Sequence, residues 1–294
     1  MKIEPNRCFF GDAAELATVL PDDSVHCIIT SPPYWSLRSH LPEGSPLKPL
    51  EIGCENSPSE YFKRLVVIFR ELRRALRPDG TFFLNVGDCY AGGDSRRPAK
   101  TRRSNKPFRK GHHVPPDGLK PKDLVGLPWM LAFALRNDGW FLCSEIIWNK
   151  SRAKPSAVRD RPTLTHEHLF LFARASRYYY DIDAVRQPLI RPQSAMHTRK
   201  LYSISGGRGE TGASGNGSRT RVIRSNPAGR NRSTVWTLPS VNDPGPSVGA
   251  FPAGLAEPCV LAGCPTRWHR AGPICRNRDD ARGFGSLRTT LHRV

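Results

Sequence analysis

A short apolar, β-rich run at residues 25–30 (VHCIIT) stops at Ser31-Pro32-Pro33-Tyr34-Trp35. The run has the pattern of a buried strand. Proline has no N–H to give to a ladder and fixes its own backbone, so two in succession end the strand in a stiff, extended segment. A buried strand that stops on a rigid polar segment belongs to a fold whose strand ends carry chemistry. In α/β sheets those are the carboxyl ends. A second strand end of this kind follows, where residues 81–86 (TFFLNV) run into Gly87-Asp88.

Helical patterns separate the strands. Residues 12–20 carry apolar residues at helical spacing and end at Leu20-Pro21-Asp22-Asp23. In residues 61–76, Phe62, Leu65, Val66, Phe69, Leu72 and Leu76 share one helical face. Arg77-Pro78-Asp79-Gly80 then predicts a turn. Residues 124–135 read as a helix interrupted by Pro128, which also suits a helix start. Residues 140–148 (WFLCSEIIW) read as a third strand and 169–173 (LFLFA) as a fourth. Order resumes at Val235-Trp236-Thr237-Leu238, and a helix is predicted over residues 252–262. Strands alternating with helices predict an α/β sheet.

The 294 residues suit one large domain or a domain with a lobe, enough to bury a sizeable core. No run of about 18 apolar residues is present, so no transmembrane helix is expected. Residues 1–11 lack the apolar stretch of a secretory signal. None of the eight cysteines is spaced as Cys-x-x-Cys, which gives no zinc or redox signature, and free thiols fit a reducing cytoplasm. The net charge of +19 is unevenly placed. Residues 95–122, 186–234 and 266–294 carry net +9, +9 and +5, leaving the remainder near −4. Basic, Gly/Ser-rich inserts on a near-neutral scaffold point to a polyanionic partner, most simply nucleic acid, and read otherwise as solvated loops.

The Ser-Pro-Pro-Tyr segment suits a planar base with an exocyclic amino group. Carbonyls flanking two prolines, with a serine hydroxyl, are acceptors in a fixed place, and the tyrosine offers a flat face for stacking. Acceptors on both amino protons localise the nitrogen lone pair, and such a nitrogen attacks an electrophilic methyl group. The base must leave the duplex to reach the site.

Together these segments resemble the site-specific DNA amino-methyltransferases of the permuted class, in which the catalytic motif precedes the cofactor motif. The resemblance runs from about Gly11 to Pro265. It is carried by Thr30-Ser31-Pro32-Pro33-Tyr34-Trp35, Leu76-Arg77-Pro78-Asp79-Gly80 and Leu84-Asn85-Val86-Gly87-Asp88. It continues in Lys122-Asp123-Leu124-Val125-Gly126-Leu127-Pro128-Trp129, Gly139-Trp140 and Ile146-Ile147-Trp148-Asn149-Lys150. Arg159-Asp160-Arg161-Pro162-Thr163, His166-Glu167 and Leu261-Ala262-Gly263-Cys264-Pro265 complete it.

The resemblance implies a Rossmann-like S-adenosylmethionine-dependent methyltransferase sheet, incomplete at the C-terminus, with two basic disordered inserts. It implies double-stranded DNA as substrate, a companion restriction endonuclease and a cytoplasmic location. It divides the chain into a catalytic half (1–90), a basic insert (91–122), a continuation of the domain (123–187), a basic insert where the family keeps target recognition (188–233), the start of the cofactor half (234–265) and an aberrant basic tail (266–294). Ser rather than Asp or Asn at position 31 resembles enzymes that methylate the 4-amino group of cytosine, with the 6-amino group of adenine as the alternative. It argues against the related Asn-Pro-Pro-Tyr sites that methylate glutamine. A non-catalytic nucleic-acid-binding protein is the alternative of another class.

Roles follow position by position. Ser31, Pro32 and Pro33 are expected to hold the target amino group and Tyr34 to stack on the flipped base. Asp12, Asp123, Phe251 and Pro252 are expected on the cofactor side, although Asp12 equally reads as a helix N-cap. Asn149-Lys150 and residues 159–163 resemble loops lining the base pocket, with Arg159 and Arg161 open to phosphate contact or to solvent. His166 and Glu167 read as a pair beside a strand. Methyl transfer needs no metal, so no metal site is expected.

The family's Gly-rich cofactor loop is expected just after Pro265, where this chain reads TRWHRAGPICRNRDD at 266–280. Codons compatible with residues 267–281, read one nucleotide later, permit Gly-Gly-Thr-Val-Leu-Asp-Pro-Phe-Ala-Gly-Ile-Gly-Thr-Thr. That is the missing loop in the expected place. The reading is a single-nucleotide change of frame near codon 266 that leaves this chain inactive. The alternative is a divergent, basic, DNA-binding tail.

Overall fold

The structure is a computed structural model that describes residues 11–37, 39, 41–42, 44–91, 118–153, 155–189, 198–199, 221–222, 226–240 and 252–265. Its elements are α1 (Ala13–Thr18), β1 (Val25–Thr30), α2 (Pro58–Ala75), β2 (Leu76–Val86), α3 (Leu127–Asn137), β3 (Phe141–Lys150), β4 (His166–Ala173), β5 (Thr198–Arg199), β6 (Arg221–Val222), β7 (Val235–Leu238) and α4 (Ala253–Gly263). The chain forms two compact units, one of Met1–Asp181 with Ser233–Val294 and one of Ile182–Arg232.

The first unit holds a five-stranded sheet in the order β1-β2-β4-β3-β7. β1 runs parallel to β2, β4 antiparallel to both β2 and β3, and β7 parallel to β3. The α/β expectation holds, with one reversed strand in an otherwise parallel arrangement. That reversal brings the start of β4 to the same sheet end as the carboxyl ends of β1, β2 and β3.

Strand side chains alternate between faces, and the alternation builds two cores. Ile28, Phe82, Leu84, Val86, Phe170 and Phe172 pack with Phe62, Leu65, Phe69 and Leu72 of α2 and with Leu131 and Leu135 of α3. Cys27, Ile29, Phe83, Leu169 and Leu171 lie on the other face with Leu255, Ala256 and Cys259 of α4. The sheet is thus covered by helices on both sides, which is why its strands read as nearly continuous apolar runs. Phe82 sits at the centre of the first core, with ring centroids of Phe69, Trp140 and Phe172 at 5.2, 4.9 and 5.8 Å. Phe82→Ala is expected to cost about 3–5 kcal/mol of stability, read from the midpoint of urea unfolding followed by tryptophan fluorescence.

Helix ends follow their sequences. Ser57 accepts from the Glu60 N–H at 3.2 Å while Glu60 Oε2 accepts from the Asn56 N–H at 3.1 Å, so both ends of a Ser-x-x-Glu unit close the start of α2. Pro128 falls in the first turn of α3 and does not interrupt it, since the missing N–H there has no intrahelical partner to lose.

The turn predicted at Arg77-Pro78-Asp79-Gly80 is instead part of β2. Val25 pairs with Leu76 and Cys27 with Thr81, so the Pro-Asp-Gly residues bulge within the strand and the ladder resumes beyond them. Tertiary pairing holds the bulge, with the Tyr179 N–H donating to the Asp79 carbonyl at 2.8 Å.

In the second unit, Gln187 and Arg230 exchange backbone hydrogen bonds at 2.9 and 2.8 Å, and β5 pairs antiparallel with β6. Gly229, at φ +115°, brings its Cα so near the Gln187 carbonyl that a Cβ would lie 2.4 Å from it. No described helix is long and apolar enough to cross a membrane.

Candidate functional site

The carboxyl ends of β1, β2 and β3 and the start of β4 converge on one polar cluster. Ser31 and Tyr34 follow β1, Asn85 is the penultimate residue of β2, Lys150 ends β3 and Glu167 is second in β4. Register explains the meeting: Asn85 pairs with Leu169 and Asn149 with His166 across the antiparallel ladders. Asn85 and Glu167 alternate onto the sheet face that carries Phe83 and Leu169.

Glu167 is the hub. Tyr34 Oη donates to Glu167 Oε2 at 2.6 Å, Asn85 Nδ2 donates to the same oxygen at 2.7 Å, and Lys150 Nζ pairs with Oε1. Tyr34 Oη also accepts from Asn85 Nδ2 at 2.8 Å and from Ser31 Oγ at 3.2 Å. Burial pushes the Tyr34 phenol well above its usual range, and the neighbouring Glu167 carboxylate pushes the same way. Asn85 is 1% exposed, and its Oδ1 is buried without a hydrogen-bond partner.

The Ser-Pro-Pro-Tyr backbone is braced from α2 and the loop before it. Tyr61 Oη donates to the Pro33 carbonyl at 2.9 Å, the Ser36 N–H donates to the Gly53 carbonyl at 2.8 Å, and Trp35 Nε1 donates to the Glu55 carbonyl at 2.9 Å. The sequence casts the carbonyls beside both prolines as acceptors in a fixed place. That of Pro33 is engaged by the buried Tyr61 and so holds the segment in place. Among the described residues no donor reaches the Ser31 or Pro32 carbonyl. Ser31 Oγ gives its proton to Tyr34 and keeps its lone pairs.

Gly87 is needed beside this cluster. A Cβ there would lie 2.7 Å from Tyr34 Cε2 and 3.4 Å from Glu167 Cδ. Gly87→Ala is expected to push the Tyr34 ring off Glu167 and, in a chain competent for methyl transfer, to lower the rate about 10- to 100-fold, with the far-ultraviolet circular dichroism unchanged.

The neighbouring Asp88 organises α3. Its Oδ1 accepts from the N–H groups of Cys89, Gly126 and Leu127 at 2.8, 3.0 and 3.1 Å. It satisfies open donors at the helix start, whose dipole favours an anion. Burial raises its carboxyl above the usual range despite these bonds. Residues 159–163 are held nearby in sequence contacts of their own: the Arg161 guanidinium lies 3.9 Å from the Tyr90 ring centroid, and Lys122 pairs with Asp160 at 2.6 Å.

The residues expected on the cofactor side occupy separate local structures. Asp12 Oδ1 caps α1 through the Ala14 and Glu15 N–H groups at 2.8 and 3.2 Å. Asp123 pairs with Lys120 at 3.1 Å and accepts from its backbone N–H at 2.8 Å. Pro252 precedes the first turn of α4, and Phe251 and residues 266–294 lie outside the described residues. No hydrogen bond among the described residues links Asp12, Asp123 and Pro252 to one another. Each of the three keeps to contacts within its own stretch of chain.

Sequence reasoning named Ser31 to Tyr34, which the structure brings together with Asn85 and Glu167, and assigned those two no role beyond motif membership and pairing. A signal for Asn85 was present: an amide inside an otherwise apolar buried run needs partners.

Comparison with known proteins identifies the family and the fold. Residues 25–267 match the N6/N4 methylase family model, described as DNA methylase. The chain is 39% identical over 262 residues to the type II methyltransferase M.SmaI of Serratia marcescens, covering 87% of this chain and 75% of that protein. It is 39% identical over 254 residues to M.Cfr9I of Citrobacter freundii, covering 86% and 71%. In fold it is similar to the cytosine-N4-specific PvuII DNA methyltransferase, with a TM-score of 0.52, 13% identity and coverage of 89% and 71%. The sheet is accordingly Rossmann-like, and the chain belongs to the N6/N4 DNA methylase family, enzymes that carry a methyl group from S-adenosylmethionine to an amino group in DNA.

Proposed function

We propose that this site takes the exocyclic 4-amino group of a cytosine flipped out of duplex DNA. The observation that supports it is the acceptor set at the end of β1. Ser31 Oγ directs its proton to Tyr34, and among the described residues no donor reaches the Ser31 or Pro32 carbonyl. Acceptors on the two amino protons draw the nitrogen toward a pyramidal, nucleophilic form. Tyr34, held by Glu167 and backed by Gly87, offers its ring to the flipped base. A neutral serine in place of a carboxylate or amide is the feature that selects cytosine in this reading. Residues 159–163 line the base pocket.

The basic segments at 95–122 and 186–234 supply phosphate contacts, which give affinity without sequence. The companion partner is a restriction endonuclease blocked by the same methyl group, and the site of action is the cytoplasm, where the DNA is.

The test is product analysis. Duplex DNA treated with the frame-corrected chain and labelled S-adenosylmethionine is digested to nucleosides and separated. N4-methylcytosine is the expected product; N6-methyladenine would move the assignment to adenine. A second reading, a DNA-binding chain without transfer, draws on the separate placement of Asp12, Asp123 and Pro252. It requires salt-sensitive DNA affinity in the chain as it stands with no donor binding.

A further inference from the structure

The Ser31–Tyr34–Asn85–Glu167 cluster has a direction as well as a geometry. We infer that Glu167 is a positioning residue that sets which way the hydrogen bonds run through Tyr34, and thereby makes Ser31 an acceptor toward an exocyclic amino group. The inference rests on the proposed acceptor role of Ser31.

The direction follows from counting protons. The Glu167 carboxylate, paired with Lys150, has only acceptor capacity. Tyr34 has one hydroxyl proton, and at 2.6 Å it goes to Glu167 Oε2. Tyr34 Oη then offers only lone pairs to its other neighbours. It accepts from Asn85 Nδ2 at 2.8 Å and from Ser31 Oγ at 3.2 Å. The same carboxylate orients the Asn85 amide, whose Nδ2 lies 2.7 Å from Oε2. Ser31 also has one proton, and it is turned toward Tyr34. What remains on Ser31 Oγ are lone pairs, the form that receives an N–H and repels a carbonyl.

A neutral side chain at 167 removes the constraint. A glutamine amide can donate to Tyr34 Oη, which frees the phenolic proton for Ser31 and lets the serine proton turn outward. The size and shape of the site stay the same while the polarity at Ser31 reverses. Glu145, which pairs with His168 at 2.6 Å on the neighbouring strand, lies outside this chain of bonds and serves as the control.

The experiment compares the full chain with E167Q, E167D, Y34F and E145Q. Competition anisotropy sets single-stranded decamers of deoxycytidine against deoxyuridine, and of deoxyadenosine against deoxyinosine. Each pair exchanges an amino group for a carbonyl while the phosphates stay constant. The wild-type chain is expected to prefer the amino member of a pair by about tenfold. E167Q and Y34F should reduce that preference to under about twofold, whereas E167D and E145Q keep most of it. Ring-labelled tyrosine followed by NMR should show one tyrosine whose ionisation moves to lower pH in E167Q and stays in E145Q.

An unchanged amino preference in E167Q, no preference in the wild type, or an unmoved tyrosine titration overturns the inference. Methyl transfer by the frame-corrected chain tests the underlying reading separately. There E167Q should lower kcat about 10- to 100-fold with KM for DNA little changed, and should add nothing to S31A. Additive losses overturn the inference. An absence of transfer with a Glu167-dependent amino preference overturns the methyltransferase reading alone.

Discussion

Removing one nucleotide at codon 266 should raise the chain's affinity for S-adenosylmethionine by orders of magnitude. The corrected frame permits Val-Leu-Asp-Pro-Phe-Ala-Gly-Ile-Gly-Thr-Thr after Pro265. Its glycines let backbone N–H groups approach a ligand at a helix start, and its aspartate supplies an acceptor. Several such hydrogen bonds, each worth about 0.5–1.5 kcal/mol net, amount to roughly a thousandfold in affinity. The Arg-rich stretch at 266–280 supplies one glycine, Gly272, followed by a proline, and no strand-like apolar run. The match to the family ends at residue 267, beside the proposed change of frame. Isothermal titration of both chains with the donor measures the difference directly, and equal affinities would remove the frame reading. Resequencing the coding DNA from codon 255 onward is the companion measurement: the frame reading requires a missing or extra nucleotide near codon 266.

In the corrected chain, Ser31→Ala should lower methyl transfer about 100- to 1,000-fold, the range seen when one preorganised hydrogen-bonding group is removed from a developing charge. The change deletes the proposed acceptor and leaves Tyr34 Oη without one of its two donors. Donor affinity should stay within about twofold, and kcat should fall far more than KM for DNA rises, because the lost contact acts on the reacting group. Single-turnover methylation and donor titration on the same variant separate these quantities. A loss confined to donor affinity would place Ser31 on the wrong side of the site.

The first strand and its polar end were legible because both signals are local. Six consecutive residues suited to burial, then two prolines, state where β1 ends without reference to any other element. The amphipathic face of α2 and the Asp12 cap of α1 were legible for the same reason, whereas the Ser57 cap, upstream of the predicted helix start at Tyr61, was not read. The bulge at Pro78-Asp79-Gly80 was not. A turn and a bulge use the same residues, and the choice was made by β1 pairing with β2 on both sides of it. The engagement of the Pro33 carbonyl was also hidden, since Tyr61 lies 28 residues further on and reads locally only as a core residue of α2.

The acceptor segment and the family followed from residues contiguous in the chain, and so did the alternation of strands and helices. The polar cluster around Glu167 did not. Its members stand at positions 31, 34, 85, 150 and 167, and they meet because β4 runs against β2 and β3, bringing its start to their carboxyl ends. Strand direction is a property of how the sheet assembles, and no window of sequence encodes it. A serine beside two prolines was therefore readable from the chain alone, while the hydrogen-bond direction that makes it an acceptor is imposed by a carboxylate 136 positions away, through Tyr34.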